Sequence, residues 1–446
     1  MAEIKVSRLP HDPGPAGWNR ILPDPAPAQV LEDRITAEWL VIGAGFAGLA
    51  AARRLSEHCP GDKIVVLDAT RIGDGPAGRN SGFMIDLPHD LSSDTYGGDL
   101  EADLAQIADN RTGITFAAEM AADFGLSEEA FSLAGKTNAA ATPKGLDVTK
   151  HYAAHLKRLG EDHEVLSSED MRQMTGTDYY IGGLFTPGAA MIQPALFVRG
   201  VANGLRSNRI QIFENSPVVS LKHESNWIAE TTSGRVTAPN VILAVNGHLN
   251  SFGFAKRRLV HVLTYASMTR ALSGDEIKTL GGRATWGVTS ADPMGTSVRR
   301  ISGLGGDRIV IRNTFTYEPS LTAGDDKVDT IGRSHDKSFK ARFPALAHVA
   351  MEHRWGGRLC LSRNNVQKIG RLDDGLYSAC CQNGLGTAKG TLAGRLAADL
   401  ATGVSSASLD RALSAPPPAA LPPEPIAKIG ASARIALGQI RAGRER

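Results

Sequence analysis

The chain has 446 residues, 42% of them hydrophobic and 22% charged, enough to bury a large core and to divide it between two domains. Forty-nine basic residues against 47 acidic ones leave a formal charge of +2, which offers no electrostatic basis for binding nucleic acid or a strongly anionic partner. No run of about 18 apolar residues marks a transmembrane segment. The opening Met1-Ala2-Glu3-Ile4-Lys5 lacks the apolar stretch of a secretory signal. Cys59, Cys360, Cys380 and Cys381 make neither a disulfide framework nor a zinc spacing, so no metal is expected and a reducing cytoplasm is the expected compartment.

Residues 1–36, rich in proline and polar side chains, read as an arm that wraps the surface without a core of its own. From Glu38 the pattern changes. Trp39-Leu40-Val41-Ile42 reads as a buried strand, Gly43-Ala44-Gly45-Phe46-Ala47-Gly48 as a glycine turn, and Leu49–Leu55 as the start of a helix. Lys63–Asp68 follows as a second strand, which completes a βαβ unit within roughly 30 residues. Residues 99–126 and 147–160 carry helical periodicity, whereas 209–245 breaks into short strands with a hairpin turn at Ser233-Gly234. Residues 259–316 are strand-rich again. Leu376–Cys381 leads through Asn383-Gly384-Leu385-Gly386-Thr387 into a helix over 391–400, and a proline-rich, basic tail follows.

Within the turn, Gly43 permits the sharp exit from the strand, Gly45 lets a pyrophosphate approach the backbone, and Gly48 lets helix and strand pack closely. The helix N-terminus offers unpaired N–H groups to phosphate. Asp68 stands twenty residues after Gly48, where a carboxylate accepts ribose hydroxyls. The pattern binds a dinucleotide but does not choose between NAD and FAD.

Gly73-Asp74-Gly75-Pro76-Ala77-Gly78-Arg79-Asn80-Ser81-Gly82 resembles the glycine-rich loop of the D-amino acid oxidase superfamily, and more narrowly of its gamma-glutamylputrescine oxidase-like branch. Trp355-Gly356-Gly357, Ser362-Arg363-Asn364, Ile369-Gly370, Asn383–Thr387 and the stretch from Gly188 to Gln193-Pro194 are similar to further segments of that family. The resemblance implies an α/β fold with a Rossmann-like FAD-binding domain and a second, sheet-rich substrate domain. It places the FAD-binding domain at 37–95, 190–255 and 350–405, the substrate domain at 96–189 and 256–349, and a tail at 406–446. The cofactor contacts it implies are Gly43, Gly45, Phe46, Ala47, Gly48, Asp68, Ala69, Arg79, Asn80, Ser81, Val219, Asn246, Gly384, Leu385, Gly386 and Thr387. The chain departs from the family pattern at Asn364, Gln367, Leu385 and Phe83-Met84-Ile85-Asp86.

A flavin takes the hydride itself, so no nucleophile is needed, only orientation of an amine against the ring. The candidates for that work are His89, with Asp86 beside it, His248, Tyr265 and Arg312, the last as a clamp for a substrate carboxylate. Each also has a plain structural reading as a loop histidine, a core tyrosine or a strand-edge arginine. Cys360 falls near the position at which related sarcosine oxidases attach flavin covalently; a small buried strand residue is the other reading. Cys380 and Cys381 read as core. The expected activity is FAD-dependent oxidation of a small-molecule amine or N-substituted amino acid, with oxygen as acceptor and peroxide as product. A dehydrogenase passing electrons to a quinone or carrier, with the basic tail near a membrane surface, is the first alternative. A non-catalytic flavin-binding protein is the second.

Overall fold

A computed structural model of the protein describes residues 3–88 and 98–446. Trp39–Ile42 and Ile64–Leu67 are buried at every position, which is why they read as unbroken apolar runs rather than alternating ones. They pair in parallel with each other and with Ile210–Phe213 on one side. On the other side of Trp39–Ile42 lie Asn240–Leu243 and Leu376–Cys380, also parallel, and then the antiparallel edge Lys368–Asp373. The strand order therefore reverses between Trp39–Ile42 and Asn240–Leu243. In open α/β sheets, the crevice beyond the carboxyl ends of such a pair is where ligands bind.

Helices Phe46–His58, Ala388–Ala401 and Leu100–Asp123 share one apolar cluster against this sheet, with Leu49, Leu55, Phe116, Leu392 and Leu396 among its members. Small residues let them approach closely: a Cβ at Gly394 would lie 1.9 Å from the Ala47 carbonyl oxygen, and one at Gly113 would lie 2.5 Å from that of Ala388. The opposite face is covered by a five-stranded sheet in which Trp227–Glu230 and Arg235–Ala238 form the hairpin expected at Ser233-Gly234. A mixed eight-stranded sheet makes the second layer system. Its order is Met351–Leu361, Val260–Thr269, Arg308–Tyr317, Ser297–Ile301, Trp286–Ser290, Lys136–Ala140, Gly182–Thr186 and Glu164–Ser167.

Several boundaries differ from the sequence reading. Met351–Leu361 pairs with Val260–Thr269 and so belongs to the eight-stranded sheet, because a strand's residue pattern does not declare which sheet it joins. Leu100–Asp123 bridges the two: Ile114, Phe116 and Met120 pack on the dinucleotide layer, while Ile107 clusters with Leu184 of the eight-stranded sheet. The proline-rich arm does reach the core: Trp18 is fully buried with Trp355, Met268 and Val310, and Ile4–Lys5 and Arg34–Thr36 are strands of the five-stranded sheet. The tail is anchored too, through Glu445, whose Oε1 accepts from the Ala141 amide at 2.9 Å and whose Oε2 accepts from Ser290 Oγ at 3.0 Å.

Candidate functional site

The carboxyl ends of Trp39–Ile42 and Asn240–Leu243 open onto a cleft of about 1950 Å³, part of it open to solvent, with walls from both the six- and eight-stranded sheets. The three glycines at its head have separate reasons. A Cβ on Gly43, whose φ is +104°, would sit 2.7 Å from the Ala244 carbonyl oxygen, and one on Gly48 would sit 1.6 Å from that of Gly43. Both are therefore demanded by the polypeptide. Gly45 is not: its φ of −86° suits any residue, and the nearest atom to an added Cβ is that of Ala77 at 3.4 Å. The room above Gly45 is space for something other than protein.

Helix Phe46–His58 begins at Gly45 with no side-chain cap and no acidic residue in its first turn, so its N–H groups and positive dipole end are left for a ligand. Asp68 closes the turn from the other side. Its Oδ2 accepts from the Ala44 amide at 2.8 Å and its Oδ1 from the Thr70 amide at 2.9 Å. A carboxylate has about four acceptor positions, and those on Oδ2 are not exhausted.

Residues 38–400 match the family described as DAO, FAD dependent oxidoreductase. The chain belongs to the DAO family of FAD-dependent oxidoreductases. It is 28% identical over 388 residues to gamma-glutamylputrescine oxidoreductase of Escherichia coli K12, covering 85% of this chain and 86% of that protein. Its fold is similar to that of glycine oxidase from Geobacillus kaustophilus, with a TM-score of 0.66, 16% identity, and coverage of 84% of this chain and 96% of that one. L-Proline dehydrogenase from P. horikoshii gives a TM-score of 0.65 at 16% identity, with 85% and 97% covered.

The glycine turn of this DAO-family chain fits FAD. The room above Gly45, the uncapped helix and the Asp68 carboxylate together suit an anionic pyrophosphate and a hydroxyl-bearing ribose. The cleft is also lined by Phe46, Ala47, Ala69, Arg79, Asn80, Ser81, Asn246, Gly384, Leu385, Gly386 and Thr387, so the structure brings these expected cofactor contacts together. Gly48 lies behind the turn at the helix–strand contact. Val219 does not line the cleft; Val218 does, because Val219 is drawn into the strand ladder by backbone bonds to Val6 and Glu230.

Several residues do different work from that expected. The buried Arg79 guanidinium donates to the carbonyls of Asp74 at 2.5 Å, Pro13 at 2.9 Å, Gly356 at 3.0 Å and Gly14 at 3.0 Å. It fastens the arm, the glycine-rich loop and strand Met351–Leu361 to one another, and burial lowers its pKa. Asn246 Oδ1 accepts from the amides of Cys381 at 3.1 Å and Gln382 at 3.3 Å, which fixes the start of the loop that carries Gly384–Thr387. Thr387 Oγ1 then donates to the Phe83 carbonyl at 2.7 Å and ties that loop to the other wall. The departures at Phe83, Ile85 and Leu385 meet in a single apolar cluster on the cleft.

Of the catalytic candidates, Arg312 lines the cleft, stacked 4.6 Å from the Phe315 ring centroid. His89 lies outside the described residues. Asp86 is buried away from this cleft, its Oδ2 accepting from Arg111 Nη2 at 3.0 Å. His248 lines the cleft, but its Nε2 accepts from Arg358, which also binds Asp12 at 2.7 Å. That ring joins the arm to the sheet rather than taking a substrate proton. Tyr265 is a core residue packed on Leu263, Ala323 and Val328; its hydroxyl meets Thr316 Oγ1 at 2.7 Å, and burial pushes the phenol up to about 12. Its neighbour Thr264 faces the cleft instead, at a register shift between the two. Tyr265→Phe is accordingly expected to cost about 1 kcal/mol in stability and to leave the rate of flavin reduction unchanged, as stopped-flow absorbance would show.

Thr264, Thr289 and Ser297 are cleft residues that the sequence reading missed. The available signal was strand register: Ser297 is the cross-strand partner of Arg312. Cys360 also lines the cleft. Its hydrogen bond to Cys381, together with burial, pushes its thiol well above the ordinary value and disfavours the nucleophilic thiolate.

Burial also holds His248 at about 3, His261 at about 4 and His335 at about 3. These rings stay neutral in the folded chain but protonate near 6.5 when it unfolds, so unfolding takes up protons below that pH. Stability is therefore expected to fall as pH drops from about 6.5 toward 4, with a slope approaching ~1.4 kcal/mol per pH unit for each ring. Urea midpoints measured across that range check it; midpoints that stay constant contradict it.

Proposed function

We propose that this chain oxidises the amine of a small amino acid or N-substituted amino acid, with molecular oxygen as the final acceptor. Bound FAD supplies the two-electron acceptor: hydride leaves the carbon bearing the amine nitrogen, the resulting imine hydrolyses, and oxygen restores the oxidised cofactor with release of hydrogen peroxide. In this reading Gly45 and the first turn of Phe46–His58 hold the pyrophosphate, Asp68 holds the ribose, and the loop carrying Gly384–Thr387 borders the ring.

The observation that carries the substrate class is the contrast between two walls of the cleft. Phe83, Ile85 and Leu385 present an apolar surface. Thr264, Thr289, Ser297 and Arg312 present hydroxyls and a guanidinium from the eight-stranded sheet. An amino acid matches both, with its carboxylate on the Arg312 fork and its apolar part against the leucine and phenylalanine. Among the described residues, the buried hydroxyls of Thr264 and Thr289 have no protein partner, as suits groups that bond a ligand. The 28% identical relative is named for a glutamylated polyamine, and the same walls accommodate an amine carried on a chain that bears a carboxylate.

Oxygen uptake and peroxide release, measured with N-methyl amino acids, D-amino acids and simple amines, test the proposal. Peroxide formed in equal amount to the oxidised amine supports it. Turnover that requires a quinone or dye and yields no peroxide replaces the oxidase with a dehydrogenase.

A further inference from the structure

The outer helix Ile426–Ala442 has no part in the cleft. It rests on the protein along Ala427, Ala431, Ile435, Gly438 and Ala442, and Gln439 Nε2 donates to the Phe315 carbonyl at 2.9 Å. A Cβ on Gly438 would already lie 3.0 Å from Met294 Cγ, so this face is docked. The opposite face is unusual. Ile426 is 60% exposed, Ile429 66%, Leu437 48% and Ile440 75%. At 100° per residue these four fall within an arc of about 80°, turned away from the docked face. Surface aliphatics normally occur singly, and a contiguous stripe marks an interaction site.

The charges indicate what covers it. The helix carries Lys428, Arg434 and Arg441 and no carboxylate, and Arg434 and Arg441 border one edge of the apolar arc. The basic run Lys256-Arg257-Arg258 abuts the segment entering the helix: Arg257 Nη2 donates to the Leu421 carbonyl at 3.1 Å and Arg258 Nη1 to that of Pro418 at 2.6 Å. A second copy of the helix would bring like charges together with no acidic side chain on either to pair them. An anionic bilayer surface supplies both the negative charge and an apolar layer for the aliphatics.

We propose that helix Ile426–Ala442 docks the protein onto anionic membrane surfaces, lying in the interface plane with Ile426, Ile429, Leu437 and Ile440 inserted. The test is flotation of the full-length, flavin-loaded protein with phosphatidylcholine vesicles with and without phosphatidylglycerol. Binding is expected only with phosphatidylglycerol and weakens as salt is raised. The double variant R434Q/R441Q is expected to lower partitioning about fivefold for each cation removed. I429S/I440S is expected to abolish flotation while the flavin spectrum and thermal midpoint stay at wild-type values, since both side chains are exposed. Failure of the wild-type protein to float with phosphatidylglycerol vesicles overturns the proposal. So does equal flotation of wild type and I429S/I440S. A lipid-free dimer by light scattering that I429S/I440S converts to monomer also overturns it, in favour of a second copy on this face.

Discussion

Gly45→Val is expected to give a folded but colourless protein, whereas Gly48→Ala is expected to give little folded protein at all. The two glycines belong to one motif and look equivalent in the sequence, yet the structure gives them different reasons to be glycine. Gly45 has φ −86° and ψ −167°, ordinary extended backbone, and an added Cβ meets nothing nearer than 3.4 Å. The polypeptide tolerates valine there. The valine methyls, however, fill the room above the uncapped helix N-terminus and keep a pyrophosphate from its N–H donors. Charge-assisted bonds to such donors are worth about 1.5–3 kcal/mol each, so losing two weakens FAD binding by roughly 10²–10⁴-fold. A Cβ on Gly48 would lie 1.6 Å from the Gly43 carbonyl oxygen, a clash relieved only by moving the helix off the strand. Flavin-to-protein ratio and far-ultraviolet circular dichroism on the two variants separate these outcomes. Full flavin retention by Gly45→Val would mean that the cofactor does not cross this turn.

Arg312→Met is expected to lower kcat/KM by roughly 30- to 10³-fold for substrates that carry a carboxylate, the equivalent of about 2–4 kcal/mol, with the flavin spectrum unchanged. The side chain sits on the eight-stranded sheet, in register with Ser297, and lines the same cleft as the Phe83–Ile85–Leu385 cluster. Arg312→Lys keeps the charge but not the planar fork, so it restores only part of the loss. An amine of the same shape without a carboxylate should be nearly indifferent to either change. Equal losses for the carboxylated and uncarboxylated substrates would show that Arg312 supports the sheet and does not grip the substrate.

The dinucleotide end of the site was legible because its signals are local. Strands buried on both faces write continuous apolar runs, and a glycine turn between such a strand and an alanine-rich helix has few other uses. The loop bearing Arg79 and the loop bearing Gly384–Thr387 were legible through family resemblance rather than through periodicity. What stayed hidden depends on contacts between distant segments. Trp18 sits among prolines, and nothing nearby in sequence announces that Trp355 and Met268 will bury it. Tyr265 was open to either a pocket-wall or a core reading, and only the assembled sheet shows that it faces the core while its neighbour Thr264 lines the cleft. The apolar wall is assembled from Phe83, Ile85 and Leu385, three hundred positions apart at its extremes; each departure was visible alone, but their meeting was not. His248 was chosen for its chemistry, and only the structure shows that Arg358 already occupies its acceptor nitrogen.

The most direct test of the central claim, that an amine-bearing substrate reduces FAD held in this cleft, is anaerobic titration of the purified protein with N-methyl and D-amino acids while the flavin absorbance is followed. The account predicts that a carboxylate-bearing amine bleaches the flavin band of the wild-type protein and does so far more slowly in Arg312→Met. A yellow protein that no amine or amino acid bleaches would contradict the amine-oxidising reading, and a purified chain that never takes up FAD would contradict the site itself.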